Sequence, residues 1–390
     1  MREVYLDYSA TTPVKKEVLD EMMPYFSEKF GNPSSLYRLG FDSKDAIQMA
    51  RKKVADLISA NDREIFFTSS GTEADNWAII SGVKSREKIG KHVITTQIEH
   101  HAVLHSCEYL EKNGYEITYL GVNQDGQINL TELENAITDK TALISIMFAN
   151  NEIGSIQQIK KISEIARKYK VLFHTDAVQA LGNIPIDVKD LGVDMMSLSA
   201  HKIYGPKGIG ALYIRKGILL PNYIHGGAQE NNKRAGTENL TGIVGFGKAA
   251  ELSGMNLDFH IESIRKHRDY FISNLFDKIP DIDINGGMEN RLPGNANIVF
   301  NGVEGEALLL YMDVKGISAS TGSACSSATF AASHVLKALA HPLERVYCSI
   351  RFTIGDFTTK DDLDYAIDEI VMIVGKLRAF SPLYEKKGKK

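Results

Sequence analysis

Between about Asp45 and Ala250, short apolar runs alternate with amphipathic segments of helical period, and this alternation constrains the fold most strongly. "REIFFTSS", "KHVITTQ", "EITYLGV", "TALISIMFANN", "KVLFHTDAV", "DMMSLSAHK" and "IGALYIRKG" read as strands. "GTEADNWAIISGV", "HAVLHSCEYLEKNG", "TELENAITD" and "KKISEIARKYK" read as helices between them. Ser70 and Glu73 have capping-box spacing at the first of these helices, and Gly114 closes the second. Strands that are apolar on both faces need cover on both faces. The expected fold class is therefore α/β, a mainly parallel sheet of seven strands flanked by helices.

The pattern changes after the glycine-rich stretch "HGGAQENNKRAGTENLTG". One long helix is expected from about Gly242 through "HIESIRKHRDYFISNLFDKI". A strand–helix–strand unit, "NANIVFNGVEGEALLLYMDVKGISAS", a strand, "YCSIRFTIG", and an amphipathic helix, "TKDDLDYAIDEIVMIVGKLRAF", follow. These make a smaller α+β unit. The expected division is a large domain over 15–255 and a small one built from 1–14 and 256–390, which suits a chain of 390 residues.

A net charge of −4 offers no basic field for nucleic acid. No apolar run approaches the roughly 18 residues of a membrane span, and "MREVYLDYSATTP" lacks the apolar core of a signal peptide. Three cysteines do not make a disulfide framework. The expectation is a cytoplasmic protein with reduced thiols, no membrane contact and a solvated tail, "EKKGKK".

Two strand ends carry the chemistry. "VLFHTDAVQ" ends in Asp176 and Gln179, and "MMSLSAHK" ends in His201 and Lys202, one strand–connection–strand unit later. In a parallel sheet such ends open on the same edge, where ligands bind. Pyridoxal phosphate needs this pair of groups. A lysine amine condenses with its aldehyde, and a carboxylate keeps its pyridine nitrogen protonated. Its phosphate needs donors, and Gly71 and Thr72 sit where a strand turns into a helix. Ser199 and His201 add side-chain donors beside the lysine. His100 is placed to stack on the ring, and Asn151 and Gln179 to bond its hydroxyl. Each residue alone is commonplace: a strand-end Asp caps turns, and a lone Lys or His is usually structural. The joint pattern carries the weight.

The motifs "YLDYSATTP", "GNPSS", "FTSSGTEADN", "IEHHAVL", "NNEIGSIQ", "HTDAVQALG", "SAHKIYGPKGIGALY", "HGG", "RAGTEN", "GSACSS" and "SIRFTIG" run in order from Tyr5 to Gly355. Through them the chain resembles the cysteine desulfurases of the NifS/IscS type, in the class-V aminotransferase group of fold-type I pyridoxal-phosphate enzymes. The resemblance implies release of L-alanine from L-cysteine, with the sulfur carried as a persulfide on Cys325 in "STGSACSSATF", within a loop at about 318–332. A loop of small residues suits such a carrier, because Gly and Ser impose little steric restraint. The resemblance also implies that Lys202 moves the α-proton, that His100 serves as acid or base, and that Arg351 holds the substrate carboxylate. Arg234 and Thr237 match a segment that reaches the other subunit's site, Thr237 at its phosphate, so a homodimer is expected. An iron–sulfur scaffold protein of the IscU/NifU type, or another sulfur acceptor, is the implied partner. "QENNKRAGT" departs from the Gly- and Arg-containing stretch of many relatives: Arg234 and Thr237 remain, but the loop has lost a basic residue. The tail "FSPLYEKKGKK" resembles a scaffold-docking region cut short.

Other readings compete. "GIVGFGKA" fits G-x-x-x-x-G-K, but Ala249 stands where a P-loop needs Ser or Thr. His100, His101, His105 and Cys107 cluster as metal ligands do, yet Ala102 replaces the Glu of a zinc protease. No metal is expected. Within the same fold, an aminotransferase needs no sulfur acceptor, and a selenocysteine lyase or sulfinate desulfinase belongs with a shorter cysteine loop. A sulfur-carrying platform without catalysis would not need Lys202, Asp176 and His100. Cys107 and Cys348 read as small buried hydrophobes.

Overall fold

The structure is a computed structural model and describes residues 2–321, 332–381 and 384. Seven strands form its large sheet. In spatial order they are Ile65–Thr68, Gly210–Ile214, Met195–Ser199, Leu172–Asp176, Thr141–Ser145, His92–Thr96 and Glu116–Leu120. Gly210–Ile214 runs antiparallel to both neighbours, and every other pairing is parallel. The expected α/β class and mainly parallel sheet are observed.

Alternation along each strand builds two cores. Ile94, Ile144, Phe173, Met196 and Ala211 face one side, with the helices Arg38–Leu57, Ile159–Lys168 and Leu240–Met255. Val93, Leu143, Leu172, Met195 and Leu212 face the other, with Trp77, Val103, Cys107 and Leu110. A second sheet pairs Asn295–Phe300 antiparallel with Ser349–Thr353 and with Ile282–Ile284. Val4–Tyr5 pairs parallel with Ile317–Ser318. Val4 and Leu6 join the separate core of this second region, with Phe271, Phe300, Phe352 and Ile370. The N-terminal segment thus leaves the small sheet's core and crosses to the large sheet's edge.

Three local readings change, and the rejection of a phosphate loop in "GIVGFGKA" stands. The single helix expected from Gly242 is two, Leu240–Met255 and Leu257–Lys278, broken where Asn256 takes φ −140° and ψ 37°. The Ser70–Glu73 capping box is half made. Ser70 Oγ accepts the Glu73 N–H at 3.2 Å, but the Glu73 carboxylate turns to the Ser69 N–H and to Arg234. The "TALISIMFANN" strand stops at Ser145, although Ile146 and Phe148 still donate to the His174 and Asp176 carbonyls at 3.1 and 2.8 Å. "GIVGFGKA" lies inside the Leu240–Met255 helix, where a Cβ on Gly247 would sit 2.5 Å from Ala50 Cα. Its glycine serves a close helix contact and not a phosphate loop.

The divergent "QENNKRAGT" segment is anchored from within. Glu230, Asn231 and Asn232 all have positive φ. The buried Glu230 carboxylate accepts both Arg51 terminal nitrogens, at 2.6 and 2.8 Å, and the Phe67 N–H at 2.9 Å. The buried Arg51 also donates to the Ile65 carbonyl at 2.7 Å. Removing one partner of a buried pair strands the other charge. Glu230→Ala should therefore cost about 3–5 kcal/mol in urea unfolding. A loss below about 1 kcal/mol would mean that the pair behaves like a surface one.

Candidate active site

Asp176, Ser199, His201 and Lys202 come together at the C-terminal edge of the large sheet. Leu172–Asp176 and Met195–Ser199 pair in register with Asp176 opposite Ser197, so both strands deliver their polar ends to one place. Met195–Ser199 runs straight into the tight turn Ala200–Lys202. Gly71 is the first residue of a helix that continues as Gly71–Asn76, Trp77–Ser81 and Gly82–Ser85, the middle part as π-helix. A Cβ on Gly71 would meet Val178 Cγ2 at 2.6 Å and Ser199 Cβ at 3.6 Å, so only glycine lets that helix start close against the two strand ends.

Lys202 is held from the N-terminal segment. Its Nζ donates to the Ala10 carbonyl at 2.8 Å and to the Ser9 carbonyl. Gln179 Nε2 also donates to Ser9 O, at 3.0 Å. The lysine charge reaches its neighbours. Burial and then the Lys202 ammonium push His100 down to about 4, and His201 likewise to about 4. Both are neutral imidazoles at neutral pH. His100 Nδ1 accepts the Ala102 N–H at 3.1 Å, which leaves the ring proton on Nε2.

Asp176 is buried and accepts the Val178 N–H at 2.9 Å. Burial raises it, opposed by that bond and by Lys202. Asp75 lies in the same interior. Burial and then the Asp176 charge hold it well above the usual carboxylate range. Behind Asp176, His174 bridges Ser145 Oγ and Ser197 Oγ, at 2.9 Å each, and burial pushes it down to about 3.

Arg351, buried on the Ser349–Thr353 strand, completes the rim. Its guanidinium bonds Asp7 Oδ1 at 2.7 Å and the Asn151 carbonyl at 3.3 Å, and its Nε finds no acceptor among the described residues. Thr72 is exposed on the first turn of its helix. Arg234 stands a short way off, paired with Glu73 at 2.8 Å, and lines with the exposed Thr237 a different cavity from the one that Lys202 and Gln179 line. Cys325 lies outside the described residues. Cys107 and Cys348 are buried free thiols, pushed up by burial, Cys107 to about 12. Among the described residues, no group of His, Cys, Asp or Glu is arranged to hold a metal ion. His101 instead stacks with His105 and His334, at 5.0 and 4.8 Å between centroids.

This donor set fits pyridoxal phosphate. An amine stands near a buried carboxylate, glycine opens a helix start for an anion, and a buried guanidinium N–H awaits an acceptor. Periodicity did not single out Asp7, Asp75, Glu99 or Glu152. Each is a carboxylate inside a quoted motif, and Asp75 and Glu99 sit beside apolar runs, which is a legible sign of a buried acid.

Glu99 deserves a test of its own. Its Oε1 accepts the Thr96 hydroxyl at 2.7 Å and the Met147 N–H at 2.9 Å, while Oε2 is buried without a partner among the described residues. Burial raises it to about 8. A raised acid stabilises the fold below its unfolded value and loses that contribution as pH rises through its folded one. Between pH 6.5 and 8 Glu152, raised by burial to about 7, adds a smaller part, while the histidines that burial lowers act in the opposite sense, because their unfolded forms still release protons there. Across that window the stability of the wild type relative to Glu99→Gln should fall by about 1–2 kcal/mol. An unchanged slope in chemical unfolding would contradict a protonated Glu99.

The comparisons with known proteins agree with this geometry. The aminotransferase class-V family model matches residues 4–366. The chain is 54% identical over 381 residues to the cysteine desulfurase IscS of Dictyoglomus turgidum, covering 98% of this chain and 97% of that one. It is 53% identical over 385 residues to the cysteine desulfurase IscS of Methanosarcina thermophila, covering 99% and 95%. A solved NifS-like protein superposes with a TM-score of 0.91 at 37% identity, over 96% of this chain and all of that one. A structure described as SspA in complex with cysteine gives 0.81 at 35% identity, over 91% of this chain.

Proposed function

The chain belongs to the aminotransferase class-V family, and from that premise we propose the role of each residue in a pyridoxal-phosphate-dependent cysteine desulfurase. The reaction takes sulfur from L-cysteine and leaves L-alanine. One observation carries the reading. Lys202 and Asp176 stand at adjacent strand ends, the Lys202 charge reaches His100, and Arg351 binds Asp7, a carboxylate that Lys202 also faces.

The cofactor, when bound, supplies an aldehyde for amines and a protonated ring that accepts electrons. Lys202 anchors it, and Asp176 holds the proton on its pyridine nitrogen. The Gly71–Thr72 amides, Ser199 and His201 hold its phosphate, and Gln179 and Asn151 its hydroxyl. His100 would lie over the ring and offer its Nε2 proton. Arg351 takes the substrate carboxylate, its bare Nε adding a donor to a planar fork. Lys202 Nζ carries the α-proton of cysteine. The Cys325 thiolate attacks the substrate sulfur. An S–S bond forms, the C–S bond breaks, and the electron pair stays on the carbon, which takes up a proton and leaves as alanine.

Residues 15–255 form the cofactor domain, and 1–14 with 256–390 the domain that carries Cys325; the separate cores support this division. The enzyme acts in the cytoplasm as a homodimer, with Arg234 and Thr237 turned to the partner's site, and hands its persulfide to a scaffold protein of the IscU/NifU type or another acceptor. No helix among the described residues is long and apolar enough to cross a membrane.

Holoenzyme given L-cysteine and a thiol reductant should release alanine and sulfide in equal amounts. Cys325→Ala should release neither, and keep its cofactor. Lys202→Ala should lose the covalent cofactor link. Keto acid without sulfide, unaffected by Cys325→Ala, would make transamination the reaction instead.

A further inference from the structure

Tyr204 stands two residues after Lys202 with φ +63°. A bulky residue keeps that conformation only where its surroundings over-determine it. Here two distant stretches do so. From the N-terminal segment, Thr12 Oγ1 accepts the Tyr204 N–H at 2.8 Å and donates to the His201 carbonyl at 3.0 Å. The Lys15 N–H donates to the Tyr204 carbonyl at 3.1 Å. Both flanks of Lys202 are thereby clamped.

The second stretch follows the strand that carries Arg351. The Asp356 N–H donates to the Tyr204 hydroxyl at 2.7 Å. The Phe357 ring meets the tyrosine edge-on, with centroids 5.8 Å apart. Gly355 packs so closely that a Cβ would lie 2.6 Å from the hydroxyl oxygen and 2.3 Å from a Tyr8 ring carbon. Charged groups flank this contact. The Lys15 ammonium lies 4.6 Å from the Tyr204 ring centroid and pairs with the Asp356 carboxylate, which His260 Nδ1 also meets at 2.7 Å.

We propose that Tyr204 is a positioning residue, which fixes the Lys202 turn against Gly355–Phe357 and so sets the lysine's distance from Arg351. The inference rests on the roles just proposed for Lys202 and Arg351. Those two side chains must address one substrate molecule, the amine near its α-carbon and the guanidinium at its carboxylate. They come from sheets with separate cores. A stiff contact that exists without substrate spares the substrate the work of bringing them together. The contact is stiff because a ring with few rotatable bonds meets a glycine that leaves no slack.

The test uses holoenzyme. Tyr204→Phe keeps the ring, its packing and the Lys15 contact, and removes only the hydroxyl that bonds the Asp356 N–H and side chain. Its kcat for cysteine should fall about ten-fold or more. The pH midpoint of the bound cofactor's visible band, which reports the Lys202 nitrogen, should shift by about half a unit. The melting temperature should stay within about 4 °C of wild type. Gly355→Ala pushes on the same contact from the other side. It should show the same two changes, and the double variant should lose no more than the worse single one. It also decides the matter if Tyr204→Phe does not fold. An unchanged kcat and midpoint in the folded variants, or a loss of activity that follows melting temperature alone, would overturn the inference. Lys202→Ala separates this from the underlying reading. If that variant keeps the visible band, the lysine assignment fails; if it loses the band while Tyr204→Phe behaves as wild type, only the positioning role fails.

Discussion

A carboxylate buried at a strand end organises this structure. Asp176 sits where water is excluded, so the ionised form is unfavourable unless a cation or a hydrogen-bond donor faces it. The fold brings Lys202 up on the adjacent strand and leaves Asp176 the Val178 N–H as a further donor. Asp75 and Glu99, in the same interior, are held towards their neutral forms. The local charge is thereby concentrated on one acid and one amine, the pair that a pyridine nitrogen and an aldehyde require.

Much of this was legible in the residues themselves. Asp176 and Lys202 end apolar runs of strand length, and a parallel sheet puts such ends on one edge. The two faces of the large sheet also follow from alternation, as Ile94 against Val93 and Phe173 against Leu172 show. What stayed hidden depended on contacts between residues far apart in the chain. Nothing in "YLDYSATTP" says that its Ser9 and Ala10 carbonyls will hold the amine of Lys202. Gly254 and Asn256, in "SGMNLD", did mark a break, but the apolar pattern continues across them and hid it. The half-made capping box had a similar cause, since Glu73 was drawn to Arg234 by tertiary structure. Arg51 and Glu230 show why the unusual "QENN" run is tolerated: three left-handed residues are held in place by one buried bidentate pair.

The N-terminal segment links these features. Its first residues pair with Ile317–Ser318 and pack in the small core, while its next few clamp the turn around Lys202. Asp7 reaches the Arg351 guanidinium from the same segment. A stretch of about fifteen residues thus touches the amine, the guanidinium and the strained turn between them. Lys202 and Arg351 come from different sheets, yet one short piece of chain bonds both and also holds Tyr204.

On the roles proposed above, this edge delivers the sulfur of cysteine to Cys325. The most direct measurement is mass spectrometry of peptides from holoenzyme exposed to L-cysteine without reductant, then alkylated and digested. The account predicts one extra sulfur atom on the peptide that contains Cys325, formed together with alanine. Extra sulfur on the peptides of Cys107 or Cys348, or alanine formed with no sulfur retained on any peptide, would contradict it.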